Sequence, residues 1–292
     1  MSVDVVTQAA RPTADDGTTT TAAASPPRHR RRGAGHSTGD VVLRVLRLLS
    51  PVILVGVWQL ASATGVLPAS TLPPPSVVAE TAGWLWESGQ LSEAILVSLR
   101  RAAIGFLLGG GIALVLGTVV GLSRIGDALL DPYMQMLRML PLFGLVPLFI
   151  IWFGIKEEPK IYLVALFSLV PLYLNLVAAL RGVDPDLKEV ARALRLNRLE
   201  RVRHLYVPAV LPGVLVGLRQ SLGAALVALV VAEQVNAGAG LGYLINNARD
   251  FLRTDIIVVA LLCYAVLGLL TDALVRALER AAVRWRDEGV QR

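Results

Sequence analysis

Six long apolar runs constrain the fold of this chain more than any other feature of its sequence. A helix of roughly 20 apolar residues crosses the hydrocarbon core of a bilayer, and soluble domains rarely carry several such stretches. Only 17% of the 292 residues are charged and the mean hydropathy is +0.61, as in polytopic membrane proteins. The sequence therefore predicts an all-α membrane protein with about six transmembrane helices, at about residues 43–63, 102–122, 128–153, 161–180, 213–235 and 256–277.

The lysines and arginines of the loops predict how these helices are oriented. The N-terminal tail, the segment from Arg181 to Arg203 and the C-terminus are strongly basic, whereas the loops near 154–160 and 236–255 balance basic with acidic residues. Basic loops stay on the cytoplasmic side of a membrane. We therefore expect a multi-pass protein of the cell inner membrane with both termini in the cytoplasm, and with residues 64–98 and 236–255 outside.

Two arginines do not fit this rule. Arg100 and Arg101 lie at the end of the second run that is predicted to be outside. Long basic side chains near the end of a membrane helix extend toward the polar interface. We expect these two arginines either to do so or to lie on a helix in the interface.

The first 40 residues differ in composition from the rest of the chain. Residues 1–40 are rich in Thr, Ala, Pro, Gly and Arg and contain almost no large apolar side chains. A segment of this kind cannot bury a core, so we expect a disordered, basic cytoplasmic tail before a transmembrane domain at 41–292. The run Arg28-His29-Arg30-Arg31-Arg32 could bind nucleic acid or anionic lipid. A topology signal explains it more simply, and we expect membrane lipid but no nucleic acid as a partner.

No residue pattern in the sequence supports catalysis or metal binding. The single cysteine, Cys263, lies in an apolar run, and the three histidines are not placed near a plausible nucleophile. A P-loop requires a lysine directly after a glycine, and none of the three lysines, Lys156, Lys160 and Lys188, follows one. We therefore expect no metal, no cofactor and no enzymatic activity in this chain.

Small residues recur every four positions in the second apolar run. On a helix they form one stripe, which lets the backbone of another helix come close. Glycine usually costs helix stability, which argues against the alternative of chance glycines on a lipid-facing helix. The predicted helix-packing residues are Gly105, Gly109, Gly117 and Gly121, with Ala113 at the centre of the stripe.

Prolines break the third and fourth runs, at Pro141, Pro147 and Pro171. Broken helices at membrane depth are tolerated where they are buried in protein or line a cavity. These breaks therefore predict either the wall of a pathway or simple packing kinks. Polar residues within membrane helices are the other candidates, and the predicted pathway or gate residues are Arg138, Pro141, Pro147, Gln220, Ser221 and Glu233.

Arg138 is the charged residue nearest the middle of the third run. It could attract an oxyanion along a pathway, or it could pair with Glu233 or with a backbone carbonyl. We favour the structural or gating role over the oxyanion role from the sequence.

A charged segment between the fourth and fifth runs predicts a short amphipathic helix. Asp184-Pro185 has the form of a helix start, with an N-cap acceptor followed by a proline. An apolar face recurs at helical spacing, and a charged rim mostly surrounds it. Such a helix suits a groove on a partner protein; the alternative, a helix on the lipid surface, would need bulkier anchors. The face is Leu187, Val190, Ala191 and Leu194, and the rim is Lys188, Glu189, Arg192 and Arg195.

This segment resembles the "EAA" loop of the inner-membrane permease subunits of ATP-binding-cassette importers. The resemblance rests on Glu189-Val190-Ala191-Arg192-Ala193-Leu194 followed by Leu211-Pro212. Further segments, in the same order along the chain, are similar to the sulfonate/taurine/nitrate branch of that family. They include Leu72-Pro73-Pro74-Pro75-Ser76, Ser98-Leu99-Arg100-Arg101, Ile151-Trp152-Phe153-Gly154 and Gly240-Leu241-Gly242-Tyr243-Leu244-Ile245.

The resemblance implies a type I importer permease fold that forms the translocation pathway for a small oxyanion such as a sulfonate, taurine or nitrate. It implies two copies of a separate ATP-binding subunit, a second permease copy, which makes a homodimer, and an extracytoplasmic solute-binding protein. Some relatives in this family carry thiamine-precursor pyrimidines instead. The loop at about 181–212 then couples the membrane helices to the ATPase, and the implied coupling residues are Leu187, Glu189, Val190, Ala191, Arg192, Leu194 and Arg195.

The loop departs from the family pattern at two positions. Val190 replaces the usual first alanine, and Arg195 stands where a glycine normally ends the coupling helix. A glycine there supplies the left-handed backbone conformation that closes a helix, which costs an arginine on the order of 1 kcal/mol. Asn197 tolerates this conformation better, so the sequence leaves open a helix that continues further.

Two other classes of membrane protein compete with this interpretation. A secondary transporter driven by an ion gradient favours inverted repeats with matching broken helices. The breaks here concentrate in the third and fourth runs, with no such symmetry. A membrane scaffold would explain the charged segment but not the broken helices.

Overall fold

The computed structural model describes residues 38–235 and 237–282, and it is helical with no strand in those ranges. The predicted tail lies outside these residues apart from Thr38 to Asp40, which begin the first helix. Contacts within the chain separate residues up to Pro51 from a second unit that begins at Val52. The helices are α1 (Thr38–Ala63), α2 (Pro75–Glu87), α3 (Gln90–Leu122), α4 (Arg124–Met139), α5 (Leu142–Phe153), α6 (Glu158–Arg181), α7 (Pro185–Ala193), α8 (Arg198–Arg201), α9 (Val207–Glu233), α10 (Leu241–Asp250) and α11 (Thr254–Ala282).

Four of the predicted spans are single helices long and apolar enough to cross a bilayer: Gln90–Leu122, Glu158–Arg181, Leu199–Glu233 and Thr254–Ala282. The predicted third span is a pair of helices, α4 and Gly144–Phe153, with a bend of 113° between them. The predicted first span contains a shorter apolar helix, Leu49–Ala63. The described residues therefore hold four spans, or five if the bent pair counts as one, against the six expected.

The core of the second unit is built around α6, which packs between α3 and α9. Its side chains are the most buried of any candidate span, and Tyr173 and Val164 are fully enclosed. A helix that is apolar on all sides and covered on most of them is the expected centre of a membrane bundle. α6 therefore positions α3, which carries the predicted packing glycines, and α9, which carries Gln220, Ser221 and Glu233.

Small residues bring α3 close to α6. A Cβ added at Gly105 would lie 2.6 Å from Cβ of Val164, and one added at Gly117 would lie 2.8 Å from a methyl of Leu176. At Gly109 an added Cβ would overlap the carbonyl oxygen of Ala165. At Gly121 it would overlap the side chain of Leu180. The glycines of the predicted stripe therefore face α6, at distances that leave no room for a side chain.

Glycines also bring α9 close to the opposite side of α6. A Cβ added at Gly213 of α9 would lie 2.7 Å from Cβ of Ala179, and one added at Gly217 would lie 2.8 Å from Cβ of Asn175. Glycine thus occurs where α9 meets α6 as well as where α3 does. The three helices form one closely packed layer.

Two neighbouring glycines of α3 should respond in opposite ways to a single methyl group. Gly109→Ala should lower stability by about 1–3 kcal/mol, because the methyl meets backbone that cannot move aside. Gly111→Ala is the matched control: nothing lies within 4 Å of an added Cβ there. Alanine favours a helix over glycine by about 1 kcal/mol, so this variant should be neutral or stabilised. Thermal unfolding of both purified proteins in detergent measures the difference, and equal midpoints would show that α3 does not need the close approach.

Candidate functional site

The charged segment forms the predicted short helix, α7, at the predicted start. The Asp184 carboxylate accepts a hydrogen bond of 2.9 Å from the backbone N–H of Asp186, and Pro185 occupies the first helical position. An N-cap acceptor of this kind satisfies one of the unpaired N–H groups at a helix start. The local sequence therefore determines where α7 begins.

α7 ends at Ala193 because Arg195 adopts the left-handed conformation, with φ of 51°. The N–H of Leu196 donates to the carbonyl of Ala191 at 3.2 Å, and the N–H of Arg195 donates to that of Arg192 at 3.0 Å. This pair of hydrogen bonds is a Schellman motif, which normally carries glycine at the position of Arg195. The alternative of a helix that continues further is wrong.

Asn197 begins the next helix instead of extending α7. Its side-chain oxygen accepts from the N–H of Glu200 at 2.8 Å, and the Glu200 carboxylate accepts from the N–H of Asn197 at 2.9 Å. This reciprocal pair is a capping box for α8. A π-helical turn, Val202–Tyr206, then joins α8 to α9.

The predicted apolar face of α7 divides into an accessible part and a buried part. Leu187, Val190 and Leu194 are 48%, 54% and 66% exposed. Ala191 is 3% exposed and belongs to a cluster of side chains within the chain itself, with Leu205 among them. The surface open to a partner is therefore Leu187, Val190 and Leu194; Ala191 instead holds α7 to its own loop.

The charged rim beside this face is open to solvent. Glu189, Arg192 and Arg195 are exposed, and Lys188 is half-buried. Among the described residues Glu189 has no hydrogen-bond or ion-pair partner. The helix thus presents three apolar side chains and an unpaired carboxylate side by side.

The predicted pathway residues do not form one site. Ser221 is buried, and its hydroxyl donates to the carbonyl of Ser168 on α6. Gln220 is exposed, and its side-chain oxygen accepts from the Asn175 amide at 3.0 Å. Pro141 caps the start of α5 at the bend, and Pro147 lies inside that helix.

Arg138 is exposed, and in the described part of the chain it has neither a hydrogen bond nor an ion pair. The expected pair with Glu233 is wrong, because Glu233 is fully enclosed by other donors. A carbonyl partner for Arg138 is absent from the same residues. The structural role that the sequence favoured therefore has no contact to support it.

Glu233 lies at the centre of a buried polar cluster at the end of α9. Its carboxylate accepts hydrogen bonds from Ser98 at 2.7 Å, from Arg101 at 2.8 Å, from the N–H of Gly242 at 2.9 Å and from the Tyr264 hydroxyl at 3.0 Å. A buried carboxylate must be paired and hydrogen-bonded to be tolerated. These donors come from α3, α10 and α11, so one side chain connects α9 to three other helices.

Arg101 extends the cluster to the turn before α6. Its Nε and Nη2 donate to the two oxygens of Glu157 at 2.6 and 2.7 Å, and its Nη1 also reaches the carbonyl of Ala239 at 2.6 Å. The side chain is 4% exposed, so Arg101 is enclosed by the protein and paired with two carboxylates. Lys160 Nζ lies 3.7 Å from Glu157. The cluster therefore contains two cations, Arg101 and Lys160, and two carboxylates, Glu157 and Glu233.

Glu157 is the exposed member of the cluster. The hydrogen bonds from Arg101 hold the pKa of its carboxyl below the ordinary value of a glutamate. A lowered pKa in the folded state contributes stability that is present above the ordinary pKa and is lost as the pH falls through the lowered one. The contribution is therefore complete at neutral pH.

Comparison with known proteins places these features in a family. Residues 109–284 match the family described as the binding-protein-dependent transport system inner membrane component. The chain is 46% identical over 245 residues to a protein of Escherichia coli named as the aliphatic sulfonates transport permease SsuC, which covers 84% of this chain and 93% of that one. It is 42% identical over 240 residues to a protein of the same name from Bacillus subtilis, with 82% and 87% covered.

A solved structure shows a similar fold. The crystal structure of an amino acid ABC transporter with histidines matches with a TM-score of 0.55 at 16% identity, covering 68% of this chain and 97% of that one. At that identity the match supports the architecture and nothing further. The helical arrangement is thus that of a type I importer permease.

Two adjacent arginines allow the buried cluster to be tested. Arg101→Leu should destabilise the protein by about 3–5 kcal/mol, because it leaves Glu233 buried without its counter-charge. Arg100→Leu is the control, since Arg100 is exposed and forms no ion pair or side-chain hydrogen bond with the described residues. The fraction of monodisperse protein extracted from membranes, followed by thermal unfolding, reports both effects. Comparable stability of the two variants would contradict a structural role for the cluster.

Proposed function

Since the chain belongs to the family of inner-membrane components of binding-protein-dependent transport systems, we propose that it forms the translocation pathway of an ATP-driven importer. The observation that carries this proposal is the family match from 109 to 284, which includes α7 and the spans on both sides of it. We further propose that ATP hydrolysis takes place on a separate subunit. An importer driven by an ion gradient has no support in these matches.

We propose that α7 couples the membrane helices to that ATPase subunit. Leu187, Val190 and Leu194 are exposed on a helix of nine residues, and Glu189 stands beside them without a partner. Burial of three half-exposed apolar side chains in a partner groove would contribute on the order of 1 kcal/mol each. An unpaired carboxylate at the rim would fix the register of the helix through a basic residue of the partner.

α7 is well placed to transmit a movement because it is attached to its own chain on the opposite side. Ala191 packs into the same cluster as Leu176 and Leu180 of α6. A force applied to the exposed face would therefore pass through Ala191 to α6. A test of docking should therefore leave Ala191 unchanged, because Ala191→Arg would disrupt the loop itself and not only the docking.

The substrate that relatives suggest is an aliphatic sulfonate. The two relatives named for aliphatic sulfonates are 42% and 46% identical to this chain, whereas those named for taurine in Escherichia coli and for nitrate in Synechococcus elongatus are 29% and 31% identical. We propose an organosulfonate substrate, delivered by an extracytoplasmic binding protein. We also propose an assembly of two copies of this chain with two ATP-binding subunits.

A charge placed on the exposed face of α7 should separate coupling from folding. Val190→Arg should abolish capture of the ATPase subunit and ATP-driven uptake, while the amount of permease in the membrane stays unchanged, because Val190 is 54% exposed and lies outside the buried clusters of its own chain. Glu189→Lys should reduce uptake by reversing the rim charge. Arg195→Gly is the matched variant in the same loop; it removes a left-handed arginine and should retain both activities.

The measurements are co-purification of the ATPase subunit and uptake into vesicles, with the membrane level of each variant as the control. Retention of both activities by Val190→Arg would exclude α7 as the docking element.

Single cysteines in a Cys263→Ala background should establish the orientation. Val66 and Leu252 are 74% and 87% exposed in segments predicted to be outside, and Leu199 is 76% exposed in the segment predicted to be cytoplasmic. A membrane-impermeant maleimide added to intact spheroplasts should label Val66→Cys and Leu252→Cys. Leu199→Cys should react only after the membrane is opened, and its labelling from outside would refute the proposed orientation.

A further inference from the structure

A cavity of about 190 Å³ lies where α4, α6 and α9 meet. One guanidinium lines it, that of Arg138, and every other lining side chain is apolar. These are Leu137 beside it on α4, Leu166, Phe167, Val170 and Pro171 on α6, and Ala224 on α9. The cavity thus combines one fixed positive charge with a hydrocarbon wall.

Arg138 has nothing in the described structure to neutralise it. The carboxylate proposed for it, Glu233, accepts from Arg101, Ser98, Tyr264 and the backbone of Gly242. Arg138 belongs to the bent pair of helices that is apolar enough to count as one span. A charged side chain in such a span is expensive unless it faces water or an ion, so an unpaired one marks a pathway for ions.

The side chains that line the cavity favour some anions over others. A guanidinium holds an oxyanion through two parallel hydrogen bonds, which suits a sulfonate, a carboxylate or nitrate alike. The apolar wall distinguishes them, because it gains free energy only by covering an alkyl chain. A small inorganic anion would leave that wall without a partner.

Polar groups continue from the cavity along the same two helices. Asn175 lies one turn beyond Pro171 on α6, and Gln220 lies one turn before Ala224 on α9. The two amides are joined by a hydrogen bond of 3.0 Å; Gln220 is exposed and Asn175 is half-buried. An anion that leaves Arg138 would therefore meet amide groups next.

We propose that this cavity is a subsite in the pathway for an organic anion with a short alkyl chain, whose oxyanion head binds Arg138 and whose chain lies against Leu166, Val170 and Ala224. The proposal rests on the importer function above. A single charge pair with an exposed arginine gives weak binding, which a transported solute needs in order to leave again.

The test uses the importer assembled from this chain, its ATPase subunit and its binding protein, reconstituted in liposomes. The probes are radiolabelled hexanesulfonate and methanesulfonate. The binding protein is the same in every experiment, so any change in selectivity between variants originates in the permease. Arg138→Gln should lower hexanesulfonate uptake about tenfold or more, the effect of losing a charge-assisted hydrogen-bonded pair. Arg138→Lys should restore part of the uptake.

Arg100→Gln is the matched control, since it removes an exposed arginine outside the cavity. Uptake by Arg138→Gln equal to that of this control would overturn the subsite and leave the importer function intact. Absence of ATP-driven uptake of either sulfonate by the wild-type complex would instead refute the sulfonate importer itself.

A second variant keeps the proposal testable if Arg138→Gln does not assemble. Ala224→Leu retains the charge and fills the part of the cavity assigned to the alkyl chain. It should lower uptake of hexanesulfonate much more than that of methanesulfonate, whereas a purely structural defect would lower both equally. An unchanged ratio of the two rates would overturn the assignment of the wall.

Discussion

The pairing of Glu233 with Arg101 is the interaction on which the arrangement of the helices depends. Glu233 ends α9, and its hydrogen-bond donors belong to α3, α10 and α11, while Arg101 adds the turn before α6 through Glu157. Each charge alone would be costly at this burial, and together they are paired and hydrogen-bonded. An arrangement of this kind favours one packing of the helices, because another packing would leave a buried charge unpaired.

Local features of α7 and α3 were predictable from sequence, whereas the long-range contacts of the Glu233 cluster were not. The start of α7 follows from Asp184-Pro185, and the small-residue stripe of α3 follows from the spacing of its glycines. Ser98, Glu157 and Glu233 are far apart in the sequence, so no periodicity could bring them together. Two signals were available: Glu233, a carboxylate within a predicted span, and Arg101, a basic residue on the side where loop charges predicted none. That the two residues are paired could be read only from the fold.

The helix α7 shows the same limit on a smaller scale. An amphipathic pattern identifies an apolar face, but it does not say which part the chain itself covers. Ala191 and Val190 are adjacent in the pattern, yet one is buried in its own loop and the other is exposed. Arg195 is the opposite case. Its left-handed backbone conformation follows from the position that glycine normally occupies, and an arginine stands there although this conformation is unfavourable for it.

Glycine on both neighbours of α6 has a mechanical consequence. Where a carbonyl oxygen and a glycine Cα touch directly, there are no side-chain rotamers to absorb a displacement, and close-packed interfaces switch between discrete arrangements instead of deforming. We therefore expect α3, α6 and α9 to move together as one layer. If a passage opens beside this layer, the movement should come from segments outside it, and the sharp bend between α4 and α5, with Arg138 just ahead of it, is such a segment.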